Sequence, residues 1–208
     1  MQPMERMQTD LPIIPSTDTR TRILEASATI FSVEGFAGAS TRTLAAGAGV
    51  NIATLNYHFG SKEGVYRATM EWVYDRIASR IEQAAPMILV LPMREALSVV
   101  FDVARAERVG IRMVMREILD LGHLRESTAR EHVLPSLERH VPLLSGALLI
   151  TPERARRLVV TLSFLIARFA VQDDVSLAAA FGVRDDAALR DAIVESLYLT
   201  TRSFVETL

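Results

Sequence analysis

RILEASATIFSVEGFAGASTRTLAAGAGVNIATLNYHFGSKEGVY, residues 22–66, decides how this chain is read. Leu24, Ala28 and Phe31, with Ile23 and Ile30 beside them, recur at helical spacing and predict a helix over roughly 19–34. Gly35 then stands where a helix stops in a positive-φ conformation, and Phe36 can fold back as its apolar partner. Two short helices follow, in TRTLAAGAGV (41–50) and NIATLNYHFG (51–60), before Ser61 caps a long helix reaching about Gln83. Gly49 lies at the sharp turn between the short helices, where φ above zero is required. Ala45, Ala46 and Ala48 are small enough for those helices to approach, and Leu44, Val50 and Leu55 give the joint its apolar contacts. What is left over is an exposed face of Thr54, Asn56, Tyr57 and His58. Such a set of hydroxyl, amide, phenol and imidazole groups suits base edges and phosphate oxygens.

Working outward, the periodicity predicts five further helices, at about 93–108, 111–121, 125–145, 153–171 and 186–207. Thr151-Pro152-Glu153 is a strong start: threonine caps, proline suits the first turn, and glutamate favours the positive end of the helix dipole. The break from Asp173-Asp174 to Gly182 is softer and reads as a connection. No strand pattern of useful length is found. The expected fold is all-α, with about nine helices: a three-helix helix-turn-helix head followed by a helical body. The domains implied are an arm over 1–17, interrupted by Pro3, Pro12 and Pro15, a head over 18–66 and a body over 67–208.

Half of the 208 residues are hydrophobic and 23% are charged, which excludes disorder as the dominant state. The most apolar run, PMILVLPM (86–93), is eight residues long, against the ~20 that a membrane-spanning helix needs. The first residues lack the apolar core of a signal peptide. With no cysteine in the chain, disulfides and thiolate chemistry drop out, and a cytoplasmic setting is expected. Net charge is −2, but residues 20–80 carry a balance of +2, the only net-positive block. That margin is too small to argue nucleic-acid binding by itself.

The 22–66 stretch closely resembles the N-terminal DNA-binding domain of the tetracycline-repressor (TetR/AcrR) family. The resemblance is carried by the Ala28-x-x-Phe31 and Gly35-Phe36 close of helix 1, the threonine start of helix 2, Ala-Gly-Val at the turn, the Tyr-His-Phe end of helix 3 and the Ser-Lys-Glu opening of helix 4. It implies that Ser40 and Thr41 meet phosphate at a helix N-terminus, with Arg42 touching phosphate or a base. Ala53 and Thr54 open the recognition helix, Tyr57 and His58 contact backbone and groove, and Lys62 pairs with a phosphate. Asn56 departs from the aromatic the family often has there; an asparagine can read adenine if it points at a base edge. Gly47 is a second departure, at a helical position where glycine costs about 1 kcal/mol against alanine. Each residue also has a plainer reading: Tyr57 packed on helix 1, His58 satisfying helix-end carbonyls, Lys62 a solvated charge, and Arg20 and Arg22 either phosphate contacts or solvated.

For the body the resemblance implies a ligand pocket and a four-helix dimer interface. Candidate pocket residues are Met70, Trp72, Tyr74, Phe101, Met113, Met115, Arg116 and Phe164, a methionine-rich set suited to an apolar or aromatic ligand. The same residues at helical spacing also read as plain core, and Arg116 and Glu117 as an ion-paired couple. Candidate interface residues are Leu158, Leu162, Leu165 and Phe169 in one helix and Leu189, Ile193, Leu197 and Phe204 in the next. Their alternative is intramolecular core. His123, His132 and His140 lack metal-ligand spacing, so neither metal nor cofactor is expected. Absence of a phosphate loop or a Gly-x-Ser-x-Gly elbow argues against an enzyme. The expected function is a homodimeric regulator, most simply a repressor, bound to a palindromic double-stranded operator and released by a small-molecule effector, with no membrane partner. A ligand-independent architectural or division-control protein of the same fold, or an activator, stands as the alternative.

Overall fold

The first helix, α1 (Thr19–Gly38), buries the stripe its sequence prescribes: Ile23, Leu24, Ala28 and Phe31 are all at most 3% exposed. These coordinates come from a computed structural model that describes residues 18–126 and 129–206, so the expected arm of residues 1–17 lies outside the described residues. Gly35 interrupts α1 at φ 70° and redirects the last turn, which brings the Phe36 ring edge-on to Tyr66 at 5.2 Å. Helix α2 (Thr41–Gly47) opens on a reciprocal cap between Ser40 and Thr43. Gly49, at φ 64°, makes the turn into α3 (Ile52–Phe59), and fully buried Leu44 and Leu55 hold the two helices to the core. The glycine at position 47 has a local reason, because a Cβ there would lie 2.8 Å from Cδ1 of Ile30 on α1.

Helix α4 (Lys62–Ile88) is capped by Ser61 and runs past the expected end near Gln83, through Pro86. Pro86 sits in the last turn, so the hydrogen bond that it cannot donate is lost only near the end of the helix. Helices α5 (Met93–Ala106) and α6 (Arg108–Leu121) follow, α6 starting earlier than its apolar period suggested. Glu107 joins them, 6% exposed and ion-paired to Arg76 and Arg80 of α4. Gly110 lets α6 cross close to α4, since a Cβ there would meet Val73 at 2.7 Å. A π-helical turn (Ala129–Val133) leads into α7 (Leu134–Leu148).

Thr151 caps α8 (Pro152–Val171), with Pro152 in its first turn as the sequence indicated. The segment read as a connection instead contains α9 (Asp174–Phe181), capped by Asp173 and closed by Gly182 at φ 68°. Its eight residues are too few for a period to show, while its two ends carry ordinary capping chemistry. Helix α10 (Asp186–Glu206) completes ten α-helices among the described residues, one more than expected in the same all-α fold.

Three apolar clusters hold these elements. The first joins α1, α2, α3, α4 and α6 around Phe31, Leu44, Leu55, Val65 and Met113. A second joins α5, α8, α9 and α10 around Phe101, Leu177, Ile193 and Leu197, and a third joins α7 to α8 and α10 around Val141 and Leu158. No described helix is long and apolar enough to cross a membrane.

Candidate nucleic-acid interface

Asn51 caps α3 by accepting from the Thr54 backbone N–H at 2.7 Å, and the Thr54 hydroxyl also donates to it at 3.0 Å. With the inner side of α3 committed through Leu55, its other side faces solvent. Ala53, Asn56 and Tyr57 are exposed there, Tyr57 at 86%, a large value for an aromatic ring. His58 is half-buried and meets the Tyr57 ring edge-on at 5.3 Å. From α2, Ser40 and Arg42 are exposed and Thr41 is half-buried, at the N-terminal end whose backbone N–H groups favour an anion. These residues lie on two adjoining helices joined by the Gly49 turn.

The structure gives several of them local duties as well. Ser40 accepts the Thr43 N–H, so its hydroxyl is already an N-cap. Lys62 donates to the carbonyls of Phe36 and Ala39, at 2.8 and 3.0 Å, and its ammonium lies 4.4 Å from the centre of the Phe36 ring. An ammonium has three donors, so one is left beyond these two. Arg20 places its guanidinium 5.5 Å from the centre of the Phe59 ring. Ile52, 40% exposed in the first turn of α3, was not singled out from sequence. Its signal was available: α3 is short, and Leu55 and Phe59 already fill its inner side.

Only four of the eight expected pocket residues share one cluster. Met70, Trp72, Tyr74 and Met113 belong to the first apolar cluster, whereas Phe101, 3% exposed, belongs to the second. Phe164 is 58% exposed and Met115 half-buried. Arg116 donates to the Val33 carbonyl at 2.8 Å and pairs with Asp120, so it ties α6 to α1. The sequence could not separate these cases, since packing partners on other helices are what assign an apolar residue to one cluster or another.

A cavity of about 960 Å³ does exist, but elsewhere: Phe36 of α1, Phe59 of α3, and Tyr66 and Met70 of α4 line it with Glu117 and Arg125. Glu117, on α6, is 2% exposed and accepts from the Tyr66 hydroxyl at 3.2 Å and from Arg125 Nε at 3.0 Å. Burial, and then the charge of Glu117, push the Tyr66 and Tyr74 hydroxyls well above the ordinary phenol range. His132 stacks on Tyr74 at 4.7 Å, while His123 and His140 contact backbone carbonyls.

The expected interface residues also divide. Leu158, Leu189, Ile193 and Leu197 are at most 4% exposed within one chain, which places them in the protomer's own core. Leu162, Leu165, Phe169 and Phe204 are half-buried against that core. The apolar residues that α8 and α10 do expose are Val160, Phe164 and Leu199, at 39, 58 and 52%. Helical period finds the apolar side of a helix but not which side of it a single chain already covers.

Comparison with known proteins agrees with this architecture. Residues 23–69 match the family model described as bacterial regulatory proteins, tetR family. The chain is 28% identical over 131 residues to the HTH-type transcriptional dual regulator CecR of Shigella flexneri, covering 62% of this chain and 57% of that protein. It is 32% identical over 104 residues to the probable HTH-type transcriptional regulator YttP of Bacillus subtilis (strain 168), covering 48% and 50%. The chain thus spans about half the length of the curated relatives it matches. Among solved structures it is similar to a TetR-like transcriptional regulator from Rhodococcus sp. RHA1, with a TM-score of 0.62, 20% identity and coverage of 91% of this chain and 98% of that one. A TerR/AcrR-family regulator from Aquifex aeolicus VF5 gives 0.64 at 20% identity, over 87% and 98%. At that identity the likeness concerns the fold.

Proposed function

We propose that this chain, whose residues 23–69 match the family model of bacterial regulatory proteins, tetR family, is a homodimeric, sequence-specific DNA-binding transcriptional regulator. In this reading it is a repressor that a small molecule releases from a palindromic operator. The observation that carries it is α3 itself: a helix anchored by one fully buried leucine, Leu55, with Ala53, Asn56 and Tyr57 turned to solvent. An aromatic ring exposed to 86% on so short a helix contributes nothing to the core and suits a phosphate or groove contact. Residues 18–66 form the reading head, and 67–208 hold the effector and the second copy.

Ser40, Thr41 and Arg42 would position the head on the backbone, Ala53, Thr54, Asn56, Tyr57 and His58 would meet the major groove, and the remaining donor of Lys62 would reach a phosphate. The dimer would form through the outer faces of α8 and α10, centred on Val160, Phe164 and Leu199. Two heads related by a dyad read half-sites about 34 Å apart, one turn of the duplex. The relative named as a dual regulator favours a second reading, in which the protein also activates.

Selection of duplexes from a random pool, followed by anisotropy titration at several salt concentrations, tests the proposal. A palindromic sequence should be enriched, and Tyr57→Ala should lose affinity for it while melting like the wild type. Lys62→Ala should lower the salt slope by about one. If no sequence is enriched and Tyr57→Ala binds like the wild type, the proposal fails.

A further inference from the structure

Glu117 is buried in the IRMVMREIL run of α6 with only one of its oxygens employed: Oε1 accepts from Tyr66 and Arg125, whereas Oε2 is enclosed without a partner. The Tyr74 hydroxyl, further along α4, is also buried without a partner, but Tyr74 does not line the cavity, so Oε2 of Glu117 is the unpaired atom that bears on it. Polar atoms left unpaired in a protein interior are destabilising, and those in a ligand cavity are commonly the ones a ligand satisfies. Arg125 fills the remaining space in a particular way. Its guanidinium lies 5.2 Å from the centre of the Tyr66 ring and 5.8 Å from that of Phe36, while Nε donates to Glu117. A buried carboxylate flanked by aromatic faces is a receptor for a cation.

We propose that the cavity binds an organic cation, an aryl amidinium or ammonium, whose charged group replaces the Arg125 side chain beside Glu117. This deepens, and rests on, the reading of the chain as an effector-responsive regulator. Arg125 suits the part of a displaceable occupant, because its side chain is 45% exposed while Glu117 is 1% exposed. The cavity also favours a cation over an anion. Its lining carries Glu63, Glu71, Glu117 and Glu131 against Arg20, Arg67 and Arg125, with His58, Tyr66 and His132 as the other titratable groups. The ligand's donors would reach Oε2 of Glu117, and its ring would lie among Phe36, Tyr66 and Met70. Phe36 belongs to α1, Tyr66 to α4 and Glu117 to α6, so an occupant touches the head and the body at once.

The test is calorimetric titration of the full chain, without DNA, with benzamidine and with its uncharged analogue benzamide. Arg125→Ala should bind benzamidine about tenfold more tightly than the wild type, since the internal competitor is gone. Glu117→Gln should lose that binding, and benzamide should bind neither protein measurably. The proposal is overturned if Arg125→Ala shows no gain, or no heat with benzamidine up to about 10 mM. It is equally overturned if benzamide binds as well as benzamidine. Should Glu117→Gln melt below the assay temperature, the comparison of Arg125→Ala with wild type decides alone. Failure of the function proposed above would show itself elsewhere, as absence of any enriched duplex, with the calorimetry unaffected.

Discussion

Gly64 shows how much a single position can hold. A Cβ at this residue, in the first turn of α4, would lie 2.0 Å from the carbonyl oxygen of Phe59, and backbone cannot swing aside as a side chain can. Gly64→Ala is therefore expected to destabilise the protein by about 1–3 kcal/mol through overpacking, against the ~1 kcal/mol that alanine gains in a helix. Gly146, inside α7 with open space around its Cα, gives the opposite sign: Gly146→Ala should stabilise by up to about 1 kcal/mol. Thermal melts of the two variants separate the cases, and a Gly64→Ala protein as stable as wild type would contradict the close approach of α3 and α4. Lys62 carries two duties. Because its ammonium caps the carbonyls of Phe36 and Ala39, Lys62→Ala should lower stability by about 1–2 kcal/mol, measured by denaturant unfolding, besides any effect on DNA. A solvated-charge reading of Lys62 would leave the unfolding midpoint unchanged.

At the scale of elements, α9 is the one whose existence depends most on its ends. Asp173 accepts from the Ser176 backbone N–H at 2.8 Å, and that bond holds its carboxyl below the ordinary aspartate value. Arg105 of α5 adds contacts to Asp174 and to the carbonyls of Phe169, Ala170 and Gln172, fastening the α8–α9 corner. A carboxyl with a depressed folded-state pKa stabilises fully above its unfolded-state value, and that contribution is lost as pH falls through the folded-state value. Asp173→Ala should thus melt lower than wild type near neutral pH, with the difference shrinking once the pH drops below 3.8, the ordinary value. Melting curves across acid pH check this; a gap that stays constant into strong acid would mean the carboxylate is not the cap. The cap residues of α2, α3, α4 and α8, namely Ser40, Asn51, Ser61 and Thr151, are plain in the sequence because capping is a local interaction. Asp173 is equally plain, but its helix is too short for a period, so only the contact of Leu177 with the second cluster reveals it.

For the molecule as a whole, the question is what α8 and α10 leave uncovered. Phe164 is 58% exposed in a single chain, so Phe164→Glu should keep the fold and, if the proposed dimer forms there, yield monomers in sedimentation velocity. Leu197, fully buried in the second cluster, should behave differently: Leu197→Ala is expected to cost about 2–5 kcal/mol of stability without a specific effect on assembly. A Phe164→Glu protein that remains dimeric would move the interface elsewhere.

The helical class, the head with its Gly49 turn, and the caps Ser61 and Thr151 were determined by the sequence alone. Each rests on interactions within a few residues or on the repeat of a helix, and both are written in consecutive positions. The same holds for Asn56 and Tyr57 on the outer side of α3, because Leu55 fixes which side of that short helix is inner, whereas Thr54 and His58, expected exposed, are half-buried. Only tertiary structure decided how the apolar residues of the body are shared out. Leu158, Leu189, Ile193 and Leu197 turn inward, while Val160, Phe164 and Leu199 turn outward, and Phe101 is separated from Met70 and Met113. It also decided that Glu117, Tyr66, Phe36 and Arg125 meet, from three helices and a connection far apart in the chain. Helical period specifies a side of a helix; which neighbour covers that side depends on crossings that no local pattern encodes.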